Sequence, residues 1–142
     1  MNKFSLKYKA IKDIKERRKV FLTDIAGFYN SNNRSVGKDG CCKYSAQPNS
    51  PGCAIGRCLG PSIAARFDKL GTKGSNSDGS SVLDVVNKDY LKNRIPVWMR
   101  EMGVNFLWEC QSFHDKDVYW NKKGLSIEGK RMFNGILEEY CS

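Results

Sequence analysis

The sequence predicts a single α+β domain, mostly helical, with five or six helices and one short β-hairpin. Three observations carry this. Apolar residues recur at three- and four-residue steps through much of the chain. Two short runs, Cys41–Ser45 and Cys53–Arg57, flank a connector with two prolines and a glycine. The 142 residues suit one core, with no fixed-period repeat and no linker that divides 1–142.

The first long helix is the clearest element. Ile11, Ile14, Arg18, Phe21, Ile25 and Phe28 share one face, while Lys12, Lys15, Glu16 and Lys19 fall on the others. It should stop near Tyr29-Asn30, where Ser31-Asn32-Asn33 begins a run of turn formers. Residues 30–40 read as a loop. Gln47-Pro48-Asn49-Ser50-Pro51-Gly52 then reads as the turn of a hairpin. Ser62–Leu70 is a short helix, and 71–81, with three Gly and four Ser, is a flexible loop.

Ser81 is a plausible N-cap for a helix carrying Val82, Val86 and Tyr90, and Pro96–Met102 is a short helix ended by Gly103. Val104, Leu107, Trp108, Gln111 and His114 share the face of the next helix. Ser126 caps the last, whose apolar face holds Ile127, Phe133, Ile136, Leu137 and Tyr140. Trp98, Trp108 and Phe113, at helical spacing, are expected in the core.

The net charge of +9 favours an anionic partner, a nucleotide-like ligand or nucleic acid. Residues 1–19 form a basic N-terminal segment: eight Lys or Arg against Asp13 and Glu16 give +6 there. No 7–15-residue apolar stretch follows as in a signal peptide, and no window approaches the ~18 apolar residues of a membrane span. The expectation is a cytoplasmic protein without membrane contact, its six cysteines reduced and unpaired.

Four of those cysteines, Cys41, Cys42, Cys53 and Cys58, lie within eighteen residues. Zinc would want a pair with two to four residues between them, which Cys53 and Cys58 satisfy, with His114 as a further ligand. There is no C-x-x-C knuckle, however, and strand alternation sends Cys41 and Cys42 to opposite faces. Buried thiols acting as small hydrophobes explain the cluster better. Neither metal nor cofactor is expected. A thiol nucleophile needs a base, and Cys53 with His114, the only histidine, is the available dyad. Gly52-x-x-x-Gly56-x-x-x-Gly60 is neither a dinucleotide fingerprint nor a Walker loop. For an anionic ligand, Arg34, Lys43 and Arg57 would supply charge and Tyr44 a stacking or hydrogen-bonding face.

The patterns Gly40-Cys41-Cys42-Lys43-Tyr44, Gly52-Cys53-Ala54-Ile55-Gly56, Gln111-Ser112-Phe113-His114-Asp115, Trp120 and Gly124-Leu125-Ser126 together resemble a family of small uncharacterised phage and bacterial proteins. The likeness covers roughly residues 20 to 137. It marks Cys42, Tyr44, Cys53, His114 and Asp115 as shared residues, and Gln111 and Asp115 join the candidate binding set. The long basic N-terminus, the doubled cysteine and the 71–81 loop depart from the pattern. The resemblance implies an accessory protein of a host cell's cytoplasm, acting on host machinery or defence signalling, with a host protein as a possible partner. Two other readings stand beside an anion-binding module. One is a cysteine-dependent hydrolase or transferase using Cys53 and His114; the other is an inhibitor that docks through its basic first helix.

Overall fold

The computed structural model of the chain describes residues 3–36, 43–73 and 93–142. Among them it has six α-helices, two short 3-10 turns and one two-stranded antiparallel hairpin. The helices are α1 (Lys3–Lys9), α2 (Ile14–Phe28), α3 (Pro61–Lys73), α4 (Val97–Arg100), α5 (Val104–Asp115) and α6 (Ile127–Cys141). The mostly helical α+β class is as the periodicity predicts. The segment 82–90, and the greater part of the 71–81 loop, lie outside the described residues; 71–73 are the last turn of α3.

The long central helix forms for the expected reasons, one turn later than expected. Asp13 caps α2 by accepting from the Glu16 amide at 2.8 Å, so the helix begins at Ile14. It ends at Phe28, and Tyr29 leaves it in extended geometry. Its stripe buries Phe21, Leu22 and Ile25, while Phe28 at the end remains 44 % exposed. The basic segment before it is itself helical. Phe4 and Tyr8, four residues apart, make one face of α1, and Tyr8 packs edge-on against Phe21 and tilted on Trp98.

Two arginines of the basic run are internal staples. Arg17 is buried, with Nε donating to the Ile11 carbonyl at 2.8 Å and Nη1 to the Trp98 carbonyl at 2.7 Å. Arg18 reaches the Met102 carbonyl at 2.8 Å and the Tyr140 carbonyl at 3.1 Å. These charge-assisted bonds tie α2 to α4 and to the end of α6.

The hairpin lies elsewhere than predicted. It joins β1 (Trp120–Asn121) to β2 (Gly124–Leu125), in the register Trp120 to Leu125 and Asn121 to Gly124. The Cys53–Arg57 run is instead a buried turn that enters a 3-10 turn over Gly56–Cys58. The reason is steric. Gly52 and Gly56 lie under Tyr44, and a β-carbon would stand 2.3 Å and 2.1 Å from the Tyr44 carbonyl oxygen. The chain therefore coils beneath Tyr44 instead of pairing along it; what remains of a ladder is an isolated antiparallel bridge between Gln47 and Ser50 and a bond from the Cys53 amide to the Lys43 carbonyl at 2.9 Å.

The last helix follows its signals. Ser126 accepts from the Gly129 amide at 3.0 Å, and Ile136 is buried, but Ile127 is 68 % exposed. Trp98 and Phe113 lie in the core as expected; Trp108 does not, being 41 % exposed on α5. No helix among the described residues is long and apolar enough to cross a membrane.

Candidate functional site

The turn 43–57 does pack on the helix bearing Gln111 and His114, but the contacts are structural. Gln111 Nε2 donates to the Tyr44 hydroxyl at 2.8 Å, and both side chains are buried. Asp68, on α3, accepts from the Tyr44 amide at 2.7 Å and from the Ser45 amide at 3.1 Å, and Ser45 Oγ donates to it as well. Lys43 Nζ stands 3.9 Å from the same carboxylate. Tyr44 and Gln111, expected in a ligand site, are here buried and hold the turn to α5.

Arg34 is spent in the same manner. Its Nη1 donates at 2.9 Å to the carbonyls of both His114 and Asp115, and Nη2 pairs with Asp117. A cation at this position meets the negative end of the α5 dipole and satisfies carbonyls that the helix leaves open. Arg34, expected in a ligand site, is here the cap of α5, and the Asp115 side chain is engaged by His114.

His114 is fully buried, with both ring nitrogens in use. Nδ1 meets Asp115 Oδ1 at 2.8 Å, and Nε2 faces the Ser35 amide at 3.4 Å. One donor and one acceptor are what a neutral imidazole carries. Burial also drives its pKa down, with Asp115 opposing and Arg34 and Arg57 assisting. Burial raises Asp115, against the pull of His114 and Arg34. The Tyr29 ring packs edge-on against His114 at 4.6 Å, while the Tyr29 hydroxyl donates to the Gly52 carbonyl at 2.7 Å. A phenol therefore occupies the space where the expected base would face its nucleophile.

Cys53 is disulfide-bonded, so it carries no thiol for attack and no thiolate for a metal. The described arrangement contains no thiol–imidazole dyad, and the expectation of six unpaired cysteines is corrected at Cys53. Cys58, Cys110 and Cys141 are free. Burial pushes Cys58 up to about 12, the nearby Arg57 guanidinium only partly opposing it, and pushes Cys110 well up. No group of three or more His, Cys, Asp or Glu that could hold a metal ion occurs among the described residues, and Cys41 and Cys42 lie outside them.

Arg57 is different. Its side chain rises from the 3-10 turn, 94 % buried, into a cluster of rings: the guanidinium carbon is 4.8 Å from the Phe4 centroid, 5.6 Å from Tyr29 and 5.8 Å from Phe28. It makes no ion pair among the described residues. Its Nε is buried without an acceptor, as is that of Arg34; Nη2 stands 3.5 Å from the Tyr8 hydroxyl, which itself donates to Asp24, and the guanidinium also interacts with the Cys58 thiol. Removing a guanidinium from water costs several kcal/mol. Cation–π contacts return about 0.5–2 kcal/mol each, and they leave Nε–H without an acceptor.

The guanidinium lines a cleft of about 300 Å³ between α1 and α2, with Phe4, Lys7, Asp24, Gly27 and Phe28. Asp24 Oδ2 accepts from Lys7 Nζ and from the Tyr8 hydroxyl, both at 2.6 Å. Of the ligand-binding residues expected from sequence, Arg57 alone lines this cleft. Phe4 and Lys7 went unrecognised because α1 reads as a charged segment. The one available signal was the Phe4–Tyr8 spacing within it. No protein-family model, curated protein or solved structure matches the chain.

Proposed function

We propose that the protein is a binding module for a small anionic ligand, received by Arg57 in the α1–α2 cleft. The carrying observation is a buried guanidinium with no carboxylate partner, at the wall of an open cleft. A cation in that position gains its missing acceptor when an anion enters. The cysteine-dependent reading has less support, since Cys53 is in a disulfide and both His114 nitrogens are engaged. Together with the family resemblance, the proposal is of a phage-type accessory protein in a host cytoplasm, its ligand a signal or cofactor of the host's. The Cys53 disulfide pulls the other way on compartment, since such bonds persist where the milieu oxidises.

A second reading rests on charge. Lys9, Lys12, Lys15 and Lys19 are exposed and free to meet nucleic acid or an acidic host protein. Calorimetric titration separates the two. A small-anion module binds AMP, inorganic phosphate or a carboxylate saturably at one site, and Arg57→Lys weakens it at least tenfold. A nucleic-acid binder takes a single-stranded oligonucleotide with steep salt dependence and is insensitive to Arg57→Lys. Silence toward all small anions at millimolar concentration sinks the first reading.

A further inference from the structure

We infer that the ligand of the α1–α2 cleft is a small monocarboxylate carrying one apolar ring, an arylacetate- or arylpropionate-like acid. The inference rests on the small-anion reading and narrows it by charge, size and surface.

Charge comes first. Arg57 and Lys7 contribute two positive charges to the cleft, and Asp24 contributes one negative charge in the same lining. The site carries one net positive charge, which a monoanion neutralises. A phosphate dianion would bring excess charge against the Asp24 carboxylate, whose side chain is 29 % exposed. A carboxylate also matches the Arg fork, whose parallel N–H groups pair with two oxygens in one plane. The Phe4 and Phe28 rings hold the guanidinium in place, its carbon 4.8 Å and 5.8 Å from their centroids.

Size comes second. About 300 Å³ equals about ten water volumes, room enough for a carboxylate and one ring at the open cleft. Surface comes third. Phe28 stands 44 % exposed at the cleft, an apolar face for which a ring is the matching partner. A free amino acid fits less well. Its ammonium group would compete for Asp24, whose Oδ2 already takes Lys7 and Tyr8.

Gly27 supplies a test that leaves Arg57 alone. It lines the cleft on α2, and a β-carbon there meets nothing within 4 Å. Gly27→Leu therefore has room at its β-carbon and adds apolar bulk to the cleft lining, and it replaces a glycine inside a helix by a better helix former. The experiment is a nitrogen-15 NMR titration of the full chain that follows the Arg57 Nε–H signal. Phenylacetate, 3-phenylpropionate, acetate, phenylalanine, inorganic phosphate and AMP are added separately. The expected result is a saturable shift of that signal by phenylacetate and 3-phenylpropionate, with at least tenfold weaker binding of acetate and of phenylalanine. Arg57→Lys should weaken phenylacetate at least tenfold, and Gly27→Leu should abolish binding while the rest of the spectrum stays folded.

If phosphate or AMP shifts Arg57 and the aryl acids do not, the carboxylate inference is overturned while the small-anion reading survives. Equal binding of acetate and phenylacetate overturns the apolar part of the inference. If no anion moves Arg57, both fall. Phenylacetate binding that persists undiminished in Gly27→Leu places the ligand outside this cleft and overturns the inference.

Discussion

Gly56 lies so close beneath Tyr44 that a β-carbon on it would stand 2.1 Å from the Tyr44 carbonyl oxygen and 2.5 Å from its α-carbon. Both neighbours are backbone, so neither can rotate away. Gly56→Ala should therefore destabilise the protein by about 3 kcal/mol or more. Gly135→Ala is the control: nothing lies within 4 Å of its β-carbon, and a helix interior gains up to about 1 kcal/mol from the change. Urea denaturation of the pair checks this. Equal stabilities would mean that the turn 43–57 is not packed as described.

Arg34 as the clamp on the end of α5 makes a separate prediction. Arg34→Ala should cost about 2–3 kcal/mol, since two carbonyls and the Asp117 ion pair lose a charged donor. Arg34→Lys should recover only part, lacking the fork that spans two acceptors. Anion affinity at the α1–α2 cleft should be unaltered in Arg34→Lys. A loss of affinity equal to that of Arg57→Lys would return Arg34 to the ligand set.

The buried imidazole sets a pH dependence. Burial holds His114 below its ordinary 6.5, so the unfolded chain takes up this proton more readily than the folded one. Its contribution is present above about pH 6.5 and is lost as pH falls below that value. Asp115, raised by burial, runs the opposite way: its share is present below the ordinary 3.8 and is lost as pH rises through the raised folded value. Between pH 7 and pH 5 the wild type should lose stability, and His114→Gln, with an oxygen in place of Nε2, should lose less. Identical slopes in denaturation at the two pH values would show that His114 is not buried as a neutral base.

Cysteine reactivity should follow burial and bonding. Iodoacetamide on the native protein should modify the half-buried Cys141 first, and Cys58 and Cys110 only on unfolding. Cys53 should label only after reduction. Peptide mass spectrometry before and after reductant reads all four. Rapid labelling of Cys53 in unreduced native protein would revive the thiol chemistry that the disulfide argues against.

Asp68 gathers the start of the turn through the Tyr44 and Ser45 amides. Asp68→Asn replaces one acceptor oxygen by a donor and should cost about 1–3 kcal/mol. Calorimetric unfolding measures it, and a neutral result would remove Asp68 from the framework.

The sequence by itself determined the longer helices, while α1 read only as a basic segment. The Phe21–Ile25 stripe, the turn formers after Tyr29 and the Ser126 cap are local signals, each complete within a few residues, and the structure places α2, α5 and α6 where they point. Cys53–Arg57 misled because an apolar run of five residues has the same pattern as a strand or a buried turn, and only the backbone of Tyr44 above Gly52 and Gly56 chooses between them. The candidate site lay further from reach. Arg57 and Phe4 are 53 positions apart, and Arg34 and His114 are 80 apart, so no period along the chain records which arginine stacks on rings and which caps a helix. Both are basic residues outside the α-helices. Tertiary packing alone spent the guanidinium of Arg34 on the end of α5 and left that of Arg57 buried, without a carboxylate, at the wall of a cleft.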